Sequence, residues 1–209
     1  MEREAEIRRA FPGANSEPVE AGWEDRWKEF HRPVFAGGVW IGPPWISPPI
    51  DAVAVVVDPG RAFGTGAHPT TRACIELLSA LEPGSLVDAG CGSGVVAVAA
   101  VRLGFDPVVA VDSDPVAVEV ARETARGNGV SVDVYAANVV SDELPHADAV
   151  VANIDLAVVE ALLARAPART VIASGYLAGQ RPEADGWRVE RAIEIDGWAA
   201  HVLADSDER

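Results

Sequence analysis

From Val53 onward, short unbroken apolar runs alternate with longer stretches in which apolar residues recur at every third or fourth position. The first pattern predicts buried strands and the second predicts amphipathic helices. Strands are expected at "AVAVVVD" (52–58), "SLVDAG" (85–90), "PVVAVDSD" (107–114), "SVDVYAA" (131–137), "ADAVVANI" (147–154) and "RTVIASG" (169–175). Helices are expected at "HPTTRACIELLSALEPG" (68–84), "GVVAVAAVRLG" (94–104), "DPVAVEVARETARGNG" (114–129) and "DLAVVEALLARA" (155–166). The third of these opens on Asp114 as N-cap with Pro115 at its first position, the residue types a helix start favours. The tail, "GWRVERAIEIDGWAAHVLAD", reads as a hairpin turning at Asp196-Gly197. Continuously apolar strands that alternate with helices imply a mostly parallel sheet covered on both faces. The fold class expected is therefore α/β, doubly wound, with a C-terminal antiparallel hairpin.

Residues 1–50 have a different texture, holding four of the six tryptophans and seven of the fifteen prolines. Within them "VFAGGVWIGPPWISPPI" (34–50) reads as one short strand and a proline-broken connection, because proline removes ladder donors. The expected division is a short N-terminal segment and linker over 1–50 and one domain over 51–209.

Composition narrows the function classes. No apolar run approaches the ~20 residues of a membrane span, and "MEREAEIRRAF" lacks the apolar centre of a signal peptide. Cys74 and Cys91 make no disulfide framework and suit a reducing compartment, so the expected location is cytoplasmic. The formal net charge of −15 repels phosphate backbones and attracts basic proteins, although acidity also serves solubility alone. Nucleic acid and membrane are therefore not expected as partners. Four scattered histidines without carboxylate spacing leave no metal site to expect.

Two glycine clusters carry the candidate chemistry: "PGRAFGTGAHPTT" (59–71) and "DAGCGSG" (88–94), on either side of one helix. The second sits where a strand turns into a helix, the position at which doubly wound sheets bind ligands. Gly90 and Gly92 let backbone pass close to a ligand, and the helix start offers free N–H groups. Read from Gly92, "GSGVVA" satisfies the loose dinucleotide pattern; read from Asp88, the run is D-x-G-x-G-x-G. Asp112 ends the next strand and suits a ribose diol for either cofactor, its alternative role as helix cap being better filled by Asp114. Asn153 closes a later strand, where an amide both accepts from an amine and donates elsewhere; its alternative is to cap the following helix. Cys91 has no base beside it, His146 sits in an acidic loop, and His68 precedes Pro69 at a helix start or else serves catalysis.

Taken together, "DPGRAFGTGAHPTT", "DAGCGSG", "VDSDPVAVEVARETARGNGV" and "VVANI" resemble, in order and spacing, the ribosomal protein L-eleven methyltransferase (PrmA-type) family. "SGYLAGQ" and the late "GW" are similar to it as well, so the resemblance covers roughly residues 19–204. It implies the class I fold and S-adenosyl-L-methionine as cofactor, held by Phe63, Thr71, Gly90, Gly92, Asp112 and Asn153. Asn153 would also position the acceptor, and Phe63 would cover the ligand. The implied reaction is methyl transfer to an amine of a basic protein, a large-subunit ribosomal protein in that family. The family also carries a substrate-recognition domain ahead of the linker, where this chain has about eighteen residues. Recognition by the acidic catalytic domain itself is the resulting expectation. An NAD-dependent oxidoreductase and a non-catalytic cofactor-binding paralogue stand as the competing readings.

Overall fold

The computed structural model describes residues 7, 9–11, 31–59 and 64–206. The chain divides into two compact units, Met1–Phe30 and His31–Arg209. In the first, the Phe11 N–H donates to the Ile7 carbonyl at 2.8 Å, one turn of helix.

The second unit opens with a small sheet of β1 (Val34–Ala36), β2 (Val39–Gly42) and β3 (Val53–Val56), in the order β1-β2-β3. The stretch read as one strand is thus a hairpin, reversed at Gly37-Gly38, and β2 then pairs parallel with β3. "AVAVVVD" is likewise not a fully buried strand of the main series. Val55 and Val57 are buried but Val53 is 40% exposed, as in a sheet with one covered face. These strands lie on both sides of residue 50, where the sequence divides linker from domain, and form one sheet. Asn128 fastens it to the rest: its side-chain amide accepts from the Val56 N–H (2.8 Å) and donates to the Val56 carbonyl (2.7 Å), imitating a paired strand.

The main sheet has seven strands. After α1 (Pro69–Leu78) come β4 (Leu86–Ala89), α2 (Val95–Arg102), β5 (Val108–Asp112), α3 (Pro115–Gly127), β6 (Asp133–Ala136), β7 (Ala149–Asn153), α4 (Leu156–Leu163), β8 (Thr170–Leu177), β9 (Trp187–Ile195) and β10 (Trp198–Asp205). Their spatial order is β6-β5-β4-β7-β8-β10-β9. The first five pair in parallel, and β10 runs antiparallel to both β8 and β9. Asp196 and Gly197 make the predicted turn with φ of 49° and 82°, the left-handed pair of a type I′ hairpin.

The apolar runs are continuous because both faces of the sheet are buried. Leu86, Ala110, Val151 and Ile172 join one core with Ile75, Leu77 and Leu78 of α1 and Val98 of α2. Val87, Val111, Val150 and Val171 join the other with Val159, Leu162 and Leu163 of α4. Each such aliphatic side chain contributes about 1.5–3 kcal/mol when fully buried, so a register slip of one residue exchanges two cores at once. The chain path reverses direction between β4 and β7, which opens a crevice beyond the carboxyl ends of the strands there.

Candidate active site

Three loops meet in that crevice. The first follows β4, where Asp88 sits at 2% exposure with its Oδ2 accepting from the Ala97 N–H at 3.0 Å. Gly94, the N-cap of α2, has no side chain to do this, so the strand caps the helix from below. Burial pushes the Asp88 carboxyl up to about 7; the Ala97 bond opposes the rise and the nearby Asp112 charge adds to it. Gly90 has φ of +78°, and a Cβ there would lie 2.4 Å from Ile154 Cγ2. Only glycine lets this loop turn away from β4 against the end of β7.

The second loop follows β5. One carboxylate oxygen of Asp112 accepts from the Gly92 N–H and the other from the Asp114 N–H, each at 2.9 Å. Asp114 in turn caps α3 by accepting from the Val116 N–H at 2.8 Å. Asp112 therefore locks the two loops together with half of the roughly four acceptor positions a carboxylate has.

Asn153 is the last residue of β7 and is half-buried. Its Nδ2 donates to Thr71 Oγ1 at 3.3 Å, and Thr71, on α1, is 1% exposed. The helix after β7 is capped by Asp155, whose Oδ1 accepts from the Ala157 N–H at 2.9 Å. Capping is thus not the work of Asn153. Gly90, Gly92, Asp112 and Asn153 line one cleft of about 460 Å³, within the size range of cofactor sites. Val139, Val140, Ile154 and Val158 form its apolar side.

Other sequence candidates fall elsewhere. Phe63 lies outside the described residues. His68 is the N-cap of α1: its Nδ1 accepts from the Thr70 N–H at 3.4 Å, and its ring packs edge-on to Trp198 with centroids 4.9 Å apart. Its burial lowers its pKa. Cys91 and Cys74 are buried free thiols whose pKa values are driven well above the ordinary range by burial and then by Asp88, which leaves neither as a nucleophile. His146 is exposed beside the Pro167 carbonyl, away from the cleft. Sequence reasoning missed the third loop, Ala137–Val140 after β6. Its signal was available, since β6 is the next parallel strand out from β5 and its carboxyl end opens on the same side. Within this loop the Asn138 side chain accepts from the Val140 N–H at 2.9 Å, which holds the turn.

The sequence profile described as ribosomal protein L11 methyltransferase (PrmA) matches residues 7–205. A ribosomal protein L11 methyltransferase of Symbiobacterium thermophilum is 40% identical over 88% of this chain and 66% of its own length. That of Alteromonas mediterranea is 46% identical over 66% of this chain and 49% of its own. The crystal structure of a ribosomal protein L11 methylase from Lactobacillus delbrueckii subsp. bulgaricus superposes with a TM-score of 0.72 at 26% identity, covering 80% of this chain and 95% of that one. The chain spans between half and two-thirds of the length of these two sequence relatives.

Proposed function

The chain belongs to the ribosomal protein L11 methyltransferase (PrmA) family, and from that membership we propose that it binds S-adenosyl-L-methionine in the cleft and methylates an amine of a protein. The observation that carries this reading is the meeting of Gly90, Gly92, Asp112 and Asn153, from three separate strand ends, in one cleft. The donor set fits the cofactor. Asp112 keeps acceptor positions for the two ribose hydroxyls, Gly90 and Gly92 bring bare backbone to the wall, and the valines with Ile154 suit a flat purine.

When bound, the cofactor supplies an activated methyl on a sulfonium; the protein's part is alignment, for which positioning contributes about 7–11 kcal/mol. Asp112 fixes the ribose. Asn153 donates one Nδ2 N–H to Thr71, and in this reading its Oδ1 is the acceptor that orients an incoming N–H. Among the described residues lining the cleft, Asp112 is the only acidic or basic side chain, and in this reading the acceptor amine arrives already neutral. The pH–rate profile then follows the amine, with a lysine pKa near 10.4 as reference.

L11 is the substrate named for the relatives, and this reading extends it to the chain as a basic protein of the large subunit. The net charge of −15 supports a basic partner rather than nucleic acid. Among the described residues no helix is long and apolar enough to cross a membrane. With a ribosomal substrate, this reading puts the activity in the cytoplasm. The methyltransferase domain is read as 51–209 with β1 and β2 as an extension of it. The nicotinamide alternative has no support among the relatives described.

Two measurements test the proposal. S-adenosylhomocysteine at 100 times its Kd should stabilise the protein by about 2.7 kcal/mol, read as a rise of roughly 5–10 °C in Tm, with NADH without effect. Labelled methyl should enter isolated L11, more slowly as salt shortens the Debye length from about 10 Å at 0.1 M to 3 Å at 1 M. A shift with NADH alone, or no incorporation into any protein of a ribosomal extract, overturns it.

A further inference from the structure

The two glycine clusters touch through one side chain. Ser93, at 2% exposure, donates its hydroxyl to the Gly64 carbonyl, joining the glycine loop to the segment that leads into α1. Gly64 has φ of +105°, and a Cβ there would stand 3.0 Å from Ser93 Oγ, so the approach needs a glycine. From Gly64 the chain runs four residues to the His68 cap and then to Thr71, the partner of Asn153. On its other side Ser93 follows Gly92, the partner of Asp112. Ser93 therefore joins the glycine loop, which Asp112 holds, to the segment that leads to Thr71, the partner of the cleft residue Asn153.

Resting on the reading that this cleft takes S-adenosylmethionine, we propose that Ser93 is a positioning residue: it holds the Gly64–Thr71 wall in place for the methionine half of the cofactor and for the acceptor, while contributing little to the adenosine half. The physical reason is the division of labour among the contacts. The adenosine side is secured by Asp112 through Gly92 and Asp114 N–H groups and by the Asn138 loop, none of which passes through Ser93 Oγ. The wall beginning at Gly64 has that hydroxyl as its tie to the glycine loop. Removing the hydroxyl takes the side-chain partner from a half-buried carbonyl, and the segment shifts to recover one.

The test compares Ser93→Ala with the wild-type protein by calorimetry, using adenosine and S-adenosylhomocysteine as separate probes. The adenosine Kd should stay within about twofold, while the S-adenosylhomocysteine Kd rises roughly five- to tenfold, the order of effect a lost hydrogen bond gives. Ser93→Thr, which restores a hydroxyl, should recover most of the loss. Ser93→Cys keeps the volume and loses the strong donor, so it should behave as the alanine variant does and serves if that variant does not fold. In steady-state methylation, Ser93→Ala and Asn153→Ala should combine less than additively in kcat, because both disturb the same wall. An equal loss for both probes, or no loss for either, overturns the role of Ser93 while leaving the cofactor reading intact. Failure of the wild-type protein to bind either probe overturns the cofactor reading and the proposal with it.

Discussion

Asp112→Ala separates two effects that the structure joins in one carboxylate. The side chain accepts from the Gly92 and Asp114 N–H groups at 2.9 Å each. Both bonds are lost in the variant, but water reaches these partly exposed amides, so the cost to stability is about 1–2 kcal/mol, or roughly 2–8 °C in Tm for a chain this size. The remaining acceptor positions are those assigned to the ribose. Hydrogen bonds to a charged group contribute about 1.5–3 kcal/mol, and each 1.4 kcal/mol is tenfold, so the Kd for S-adenosylhomocysteine should rise roughly 10–100-fold. Isothermal titration calorimetry measures this directly. A ligand analogue without the two ribose hydroxyls tells contact from loop disorder: it should bind wild type and variant with nearly the same, weaker, affinity. Asp112→Asn, which keeps one carbonyl acceptor, should fall between the two. The reasoning is refuted by unchanged affinity for S-adenosylhomocysteine, or by an equal loss for the analogue, which would make Asp112 a loop fastener alone.

If the amide at the end of β7 orients the acceptor as proposed, Asn153→Ala should lower kcat for protein methylation about 100-fold with a much smaller change in cofactor Kd; single-turnover kinetics with saturating cofactor checks the split. Asp88 titrates near 7 when folded and near 3.9 when unfolded, so the native state holds the extra proton between those values and its contribution to stability is lost as pH rises from about 4 to 7. Urea unfolding of wild type and Asp88→Asn at pH 5 and pH 8 should show the wild type losing more stability on going to pH 8; equal pH slopes would count against a neutral buried carboxyl. His68→Ala removes the α1 cap and the edge contact with Trp198, which should cost about 1 kcal/mol, or 2–4 °C in Tm, and leave kcat within about threefold. A much larger kcat loss with an unchanged Tm would move His68 into the catalytic machinery.

Much of this protein is determined within short windows of its sequence. Apolar runs such as "VVAV" at 108–111 have to be buried on both faces, Asp114-Pro115 and His68-Pro69 have to start helices, and Asp196-Gly197 has to turn a hairpin, because each depends on residues within a few positions. Asp112 and Gly90 could be singled out as candidates for the same reason, since a strand end and the loop after it are local features. Which sheet an apolar run joins is not local. "AVAVVV" reads like the other strands, yet it pairs with β2 and is clasped by Asn128, 72 residues from Val56, because pairing is decided by whichever edge the chain reaches. The bond from Asn153 to Thr71 spans 82 residues and that from Ser93 to Gly64 spans 29, and no periodicity encodes either. Asp88 looks like one more strand-end carboxylate until burial takes its water away and raises its pKa. The sequence by itself determined the elements and the residue types a cofactor requires. Tertiary packing decided which of them face one another, as in the bond from Asn153 Nδ2 to Thr71.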